Sequence, residues 1–200
     1  MIHKPFSEAC ENNKAPILQE IRKVFDANVT VWEIGSGTGQ HACYFAEHLP
    51  QVNWQPTDRN ENIPGIRLWC DDACLSNLMA PIILDVTDAV WPHHAIDAVF
   101  TANTLHIMSW HEIEVFFGRL AENLKKDALA CIYGPFNYNG MHTSDSNARF
   151  DRWLKERDAL SGIRDFEAVN ALASANGFAL LDDIAMPANN RFLVLQNRGK

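Results

Sequence analysis

Two periods of apolar spacing succeed each other along the chain. Behind Pro16, the positions Ile17, Ile21, Val24 and Phe25 keep helical spacing, which predicts a short helix with the proline in its first turn, where no amide donor is needed. A β-rich run over 29–34 then ends in Gly35, Gly37 and Gly39. Ala42, Phe45, Ala46 and Leu49 recur at i, i+3, i+4 and i+7, so a helix comes next, and Pro50 stops it. The alternation continues with a second strand over 52–56 and Asp58 just past its end, then a loop holding Pro64 and Gly65, then a helix over 71–78. Apolar runs predict a third strand over 81–86, a fourth over 95–102 and a fifth over 128–133. Ser109 and Glu112 form an S-x-x-E capping box ahead of Ile113, Phe116, Phe117, Leu120 and Leu124.

Two stretches break the simple alternation. Residues 134–164 begin rich in Asn, Ser and Gly and then carry Phe150, Trp153, Leu154 and Arg157 at helical spacing, which predicts an inserted loop and helix, lid-like around 136–164. At the end, Asp165 opens a helix that Gly177 closes, and FALLDDIAM and RFLVLQ flank the short PANN turn as antiparallel neighbours. The expected class is α/β: a Rossmann-like, mostly parallel seven-stranded sheet with helices on both faces and a C-terminal antiparallel hairpin. With 200 residues and 47% hydrophobic content, one domain spanning 1–200 is expected.

Charge narrows the partners. The net charge of −8 contains no basic block, which argues against sequence-independent nucleic-acid binding. Cys10, Cys43, Cys70, Cys74 and Cys131 are scattered and form no C-x-x-C pair, so neither a disulfide framework nor a metal site is expected; Cys70 and Cys74 suit one helix face. The N-terminal stretch has no long apolar run, no membrane segment is expected, and a reducing cytoplasm is the natural setting. His93 and His94, beside Pro92, read as a surface loop and take no role.

The glycines carry the chemistry. A dinucleotide turn needs G-x-G-x-x-G, but the third glycine position is Gln40. The residues present, Glu33 followed by Gly35, Gly37 and Gly39, give an E-x-G-x-G-x-G that resembles motif I of class I S-adenosylmethionine-dependent methyltransferases. That resemblance implies S-adenosylmethionine as cofactor, held by Glu33, Gly35, Ser36, Gly37 and Gly39. Asp58, with Arg59 beside it, would serve the ribose hydroxyls, Asp85 the adenine amino group, and Val86 would pack on the ring. Asp58 is equally compatible with NAD, and Asp85 is equally readable as a turn acid. Asn103, Thr104 and His106 come just after the fourth strand, at the edge where open α/β sheets bind ligands.

A closer resemblance spans almost the whole chain. FSEACENNKAPIL, YGPFNYNG, TSDSNARFDRWLKERD, GIRDFE and MPANNRFLV, in that order, are similar to methyltransferase-like proteins long catalogued only as a domain of unknown function. Asn12 departs from that pattern, standing where arginine is expected. The resemblance implies fold and cofactor and names no acceptor. If the acceptor carries a hydroxyl or a protonated amine, His106 is the candidate to take its proton, a packing histidine being the alternative. Tyr133, Asn137, Trp153, Asn189 and Asn190 are candidates to line an acceptor site, or ordinary turn residues. The DNA amino-methyltransferase pattern is absent, NTLH occupying its place, so a small-molecule acceptor is expected. Two rival readings stay open: a non-catalytic cofactor-binding or partner-binding module, and a nicotinamide oxidoreductase.

Overall fold

The computed structural model describes residues 4–25, 28–92 and 95–199, and His93 and His94 lie outside the described residues. The chain divides into two compact units that meet in sequence between Thr101 and Ala102. In the first, helix α1 (Glu8–Val24) leads into strand β1 (Thr30–Ile34), helix α2 (Gln40–His48), strand β2 (Asn53–Asp58), helix α3 (Ile63–Ala73), strand β3 (Ile82–Ile83) and strand β4 (Ile96–Ala102). The strand order is β3-β2-β1-β4, with each of these neighbours paired in parallel. Phe45, Trp54 and Phe100 fill the centre of this unit, with ring centroids 5.3 to 5.8 Å apart. The register of the central pair positions the glycines: Ile34 pairs with Thr57, so the turn leaves β1 directly beside the end of β2.

The second unit holds helix α4 (Trp110–Asn123), strand β5 (Leu124–Asn137), helix α5 (Asp145–Arg157), strand β6 (Arg164–Asp165), helix α6 (Phe166–Ala175), strand β7 (Phe178–Met186) and strand β8 (Asn190–Asn197). Here β5, β8 and β7 are consecutive antiparallel neighbours, and β6 pairs with β5 in parallel. A register shift between Leu180 and Asp182 leaves Leu181 as an extra residue on β7, the outermost of the three. The Ser109–Glu112 capping box forms as expected, Ser144 caps α5, and Gly177 takes φ +87° just past α6. The expected Rossmann-like α/β class holds, with an eighth strand, the two-residue β6, added to the seven expected. Among the described residues no helix is long and apolar enough to cross a membrane.

Four element boundaries differ from the sequence expectation, each for a local reason. The helix α1 starts a full two turns before Pro16: Ser7 caps it by accepting from Cys10 N, and contacts to Gln40 hold its start, which offsets the bond the proline cannot make. Similarly, α3 spans 63–73 and not 71–78. Pro64 sits in its first turn, and Gly65 leaves room for Pro5, whose Cγ would be 2.7 Å from a Cβ there. The third strand shrinks to two residues because Asp85 binds Thr87 N and Oγ1, diverting the main chain into a side-chain-stabilised turn. The fifth strand extends to 124–137: β8 pairs with its 129–135 and β6 with its 136–137, and at its polar start the side chains of Gln196 and Asn197 on β8 donate to the carbonyls of Asp127, Leu124 and Lys125. Asp165 is the N-cap residue of α6, but its side chain makes no capping bond.

Candidate functional site

In the first unit the site is the junction of two strand ends. Gly35, Gly37 and Gly39 all take left-handed φ, at +75°, +60° and +90°. Gly39 also has no room for a side chain, since a Cβ would meet Ile66 Cα at 3.1 Å; at Gly37 a Cβ would meet nothing within 4 Å. Four of the turn's amides are spent inside the protein. Those of Gly35 and Ser36 both donate to Thr57 O, at 3.0 and 2.9 Å, Gly37 N donates to Asp58 Oδ2 at 2.6 Å, and Gly39 N donates to Ser36 O at 2.9 Å. Asp58 is thereby fixed from both sides, because its Oδ1 accepts from Arg59 N at 2.7 Å and Asn62 Nδ2 at 2.8 Å.

Glu33 lies beneath this turn, 1% exposed. One of its oxygens accepts from Ser36 Oγ and from Trp54 Nε1, both at 3.0 Å, and burial pushes its carboxyl up to about 7. Thr57 completes the support by donating its hydroxyl to Glu33 O. Val86 is buried, whereas Asp85 spends its Oδ1 on Thr87, which holds its carboxyl below the usual range. Arg59 is exposed and pairs with Glu61.

Two contributors here escape a reading of the sequence. Gln40, which the sequence presents only as a missing glycine, is buried and joins the turn to α1. Its Oε1 accepts from Ser7 N and Thr38 Oγ1, and its Nε2 donates to Ser7 O and to Glu11 Oε1. His41 is buried against Phe45, 2.6 Å from Asn13 Oδ1, and burial drops its imidazole to about 4. The available signal is position: both residues open a helix directly after three glycines, where a long polar side chain reaches back across the turn.

In the second unit, Asn103 takes φ +60°, which asparagine tolerates, and its amide donates to Tyr133 O. Thr104 O then accepts from the amides of Ile107 and Met108, forming the turn that carries His106. The His106 ring is 5% exposed and meets Phe150 edge-on at 5.2 Å; burial, and next the positive charge of Arg164, lower it to about 4. Trp153 stacks on Phe150 at 5.7 Å, carries Arg157 over its ring at 4.5 Å, and is 46% exposed. Tyr133 is buried, Asn137 Oδ1 meets His142 Nδ1 at 2.8 Å, Asn189 O accepts from Asn147 Nδ2, and Asn190 Nδ2 donates to Pro187 O. Thus His106, Phe150 and Trp153 are brought together, while Asn190 serves its own turn and Asn189 meets α5 through its carbonyl. Among the described residues no group of three acids, cysteines or histidines is arranged to hold a metal ion.

A family model described as a protein of unknown function, DUF938, matches residues 4–197. Solved structures with the same fold include an O-methyltransferase family protein from Burkholderia thailandensis, with TM-score 0.82 and 16% identity over 96% of this chain and 58% of that one. An O-methyltransferase family 2 protein from Planctomyces limnophilus, in complex with apigenin, matches with TM-score 0.79 and 11% identity over 94% of this chain and 59% of that one. CalO1, a methyltransferase in calicheamicin biosynthesis in its SAH-bound form, matches with TM-score 0.74 and 17% identity over 92% of this chain and 54% of that one. The chain therefore spans under two thirds of the length of these proteins.

Proposed function

The chain belongs to the DUF938 family, whose description carries no activity, and from that premise we propose that it is an S-adenosylmethionine-dependent methyltransferase acting on a small-molecule acceptor. One observation carries the choice of cofactor. A diphosphate is held by main-chain amides aimed outward from a glycine turn, yet here the amides of Gly35, Ser36, Gly37 and Gly39 are all committed inside the protein. What the turn offers in their place is a pre-set carboxylate. Asp58 Oδ2 accepts a single bond, so lone-pair capacity remains for a ribose hydroxyl, and Gly37 leaves open space above the turn. These features fit a nucleoside cofactor without phosphates and oppose NAD.

Bound S-adenosylmethionine would supply an electrophilic methyl group on a sulfonium. The protein's part is binding and orientation. Asp58 accepts from the ribose, Gly35 to Gly39 let the chain approach the cofactor, Glu33 holds the turn through Ser36, and Val86 offers an apolar contact. In the second unit His106, neutral at pH 7, takes the proton of a hydroxyl acceptor; with its imidazole near 4 it is a weak base, suited to an oxygen that attacks with its own lone pair and loses its proton as the new bond to the methyl forms. The chain acts as one domain in which residues 136–164 control acceptor access.

Calorimetric titration of the wild-type protein with S-adenosylmethionine, S-adenosylhomocysteine and NAD tests the cofactor. Binding of the first two and not of NAD is expected, and binding of NAD alone would overturn the reading. A screen of metabolites with methyl-labelled cofactor then tests activity. Tight cofactor binding with no labelled product would favour a non-catalytic binding module.

A further inference from the structure

The loop that carries His106 is fastened through its main chain, one carbonyl after another. Leu105 O accepts from Arg164 Nε at 3.2 Å, His106 O from Gly162 N at 2.8 Å, Ile107 O from Ser161 Oγ at 2.8 Å, and Met108 O from Arg164 Nη2. Four successive carbonyls are thus met by donors from the short segment 161–164. Arg164 makes two of these contacts and ties the clasp to itself, since its Nη2 also donates to Leu160 O at 2.7 Å. Its guanidinium suits this because it presents several donors in a fixed plane, which a lysine ammonium does not.

The same segment is gripped from its other side by α5. Ile163 N donates to Asp151 Oδ1 at 2.7 Å, and the buried Asp151 holds Lys155 with its second oxygen. Gly162 is the residue that permits this sandwich: its φ is +154°, and a Cβ would stand 2.9 Å from both Asp151 Oδ1 and Lys155 Cε. The helix that grips the clasp also supplies Phe150, the ring against His106. The loop and α5 are therefore linked through both main chain and side chains, so neither can shift without breaking hydrogen bonds to charged groups.

We infer that residues 161–164 are a clasp that presets the His106 loop, with Arg164 as the positioning residue for the His106 imidazole. The inference rests on the methyltransferase reading for its functional meaning, but the clasp is testable without an acceptor. In Arg164→Lys the positive charge stays and the planar fork is lost. By NMR on the full chain, the Gly162 amide should then exchange on the order of tenfold faster than in wild type, and the His106 titration midpoint should rise by about one unit as the ring gains water. Titration with S-adenosylmethionine should give the wild-type affinity, because the change lies in the second unit. If both NMR readouts match wild type, the clasp is overturned. If Arg164→Lys does not fold, Ser161→Ala removes one bond: faster Gly162 exchange supports the clasp and unchanged exchange sinks it. A wild-type protein that fails to bind S-adenosylmethionine would instead overturn the cofactor reading and leave the NMR result standing.

Discussion

Asp58 and Glu33 are two buried acids at one turn with different partners. Asp58 accepts three protein donors and keeps lone-pair capacity at the open side of the turn, so Asp58→Ala should weaken S-adenosylmethionine and S-adenosylhomocysteine alike by about 2–3 kcal/mol, as read by calorimetry on the folded variant. Unchanged affinity would remove it from the site. Glu33 is buried and its folded value, about 7, lies above the ordinary 4.5. Its contribution to stability is therefore fully present below pH 4.5 and lost as pH rises through 7. Glu33→Gln cannot lose a proton, so between about pH 4 and pH 8 urea unfolding should shift in the variant's favour by on the order of 3 kcal/mol. A constant difference between the two proteins would show that folding leaves the Glu33 carboxyl at its ordinary value. The sequence marks both acids by spacing alone. It does not distinguish them, because Trp54 and Ser36, which bury and bind Glu33, come from elements whose packing no local pattern encodes.

At the scale of elements, strands and helices that stand on their own periodicity are legible, and those anchored by tertiary contacts are not. The capping box of α4 needs only its own residues. By contrast, the first two turns of α1 are polar and precede a proline, and they are held by the side chain of Gln40 on another helix. Gln40→Ala strands Ser7 N and takes one donor each from Ser7 O and Glu11, and should cost about 1–3 kcal/mol in chemical denaturation, with proteolysis beginning within 8–15. Gln40→Gly restores dinucleotide spacing yet should create no NAD affinity, since the amides of Gly35, Ser36, Gly37 and Gly39 remain committed. The α5 helix is legible by its aromatic spacing, but its fastening to the His106 loop is not, because Arg164 lies beyond it in a two-residue strand. Trp153→Ala should lower turnover or acceptor binding roughly tenfold while leaving cofactor affinity unchanged, as steady-state kinetics beside calorimetry would read; equal loss of both would count against acceptor gating.

For the whole molecule, two buried histidines set the acid limit. His41 and His106 are both held near 4 against an ordinary 6.5, so each contributes stability that is present above pH 6.5 and lost as pH falls toward 4. Unfolding free energy should fall by a few kcal/mol across that window, and His41→Gln should remove part of the fall; a flat profile would mean the rings take up protons without cost. Glu33 acts with the reverse sign over an overlapping range, so the wild-type curve is gentler than the histidines alone would make it. The extra residue on β7 bears on how the protein behaves when crowded. An outermost strand is an adhesive template for other chains, yet this one carries Leu181 on a bulge followed by the exposed Asp182, which break its straightness and put a negative charge at its margin, Asp183 being paired with Arg191. Together with the net charge of −8, that margin protects a concentrated solution from aggregating strand to strand, so the molecule keeps its closing hairpin without making it a seed for fibres.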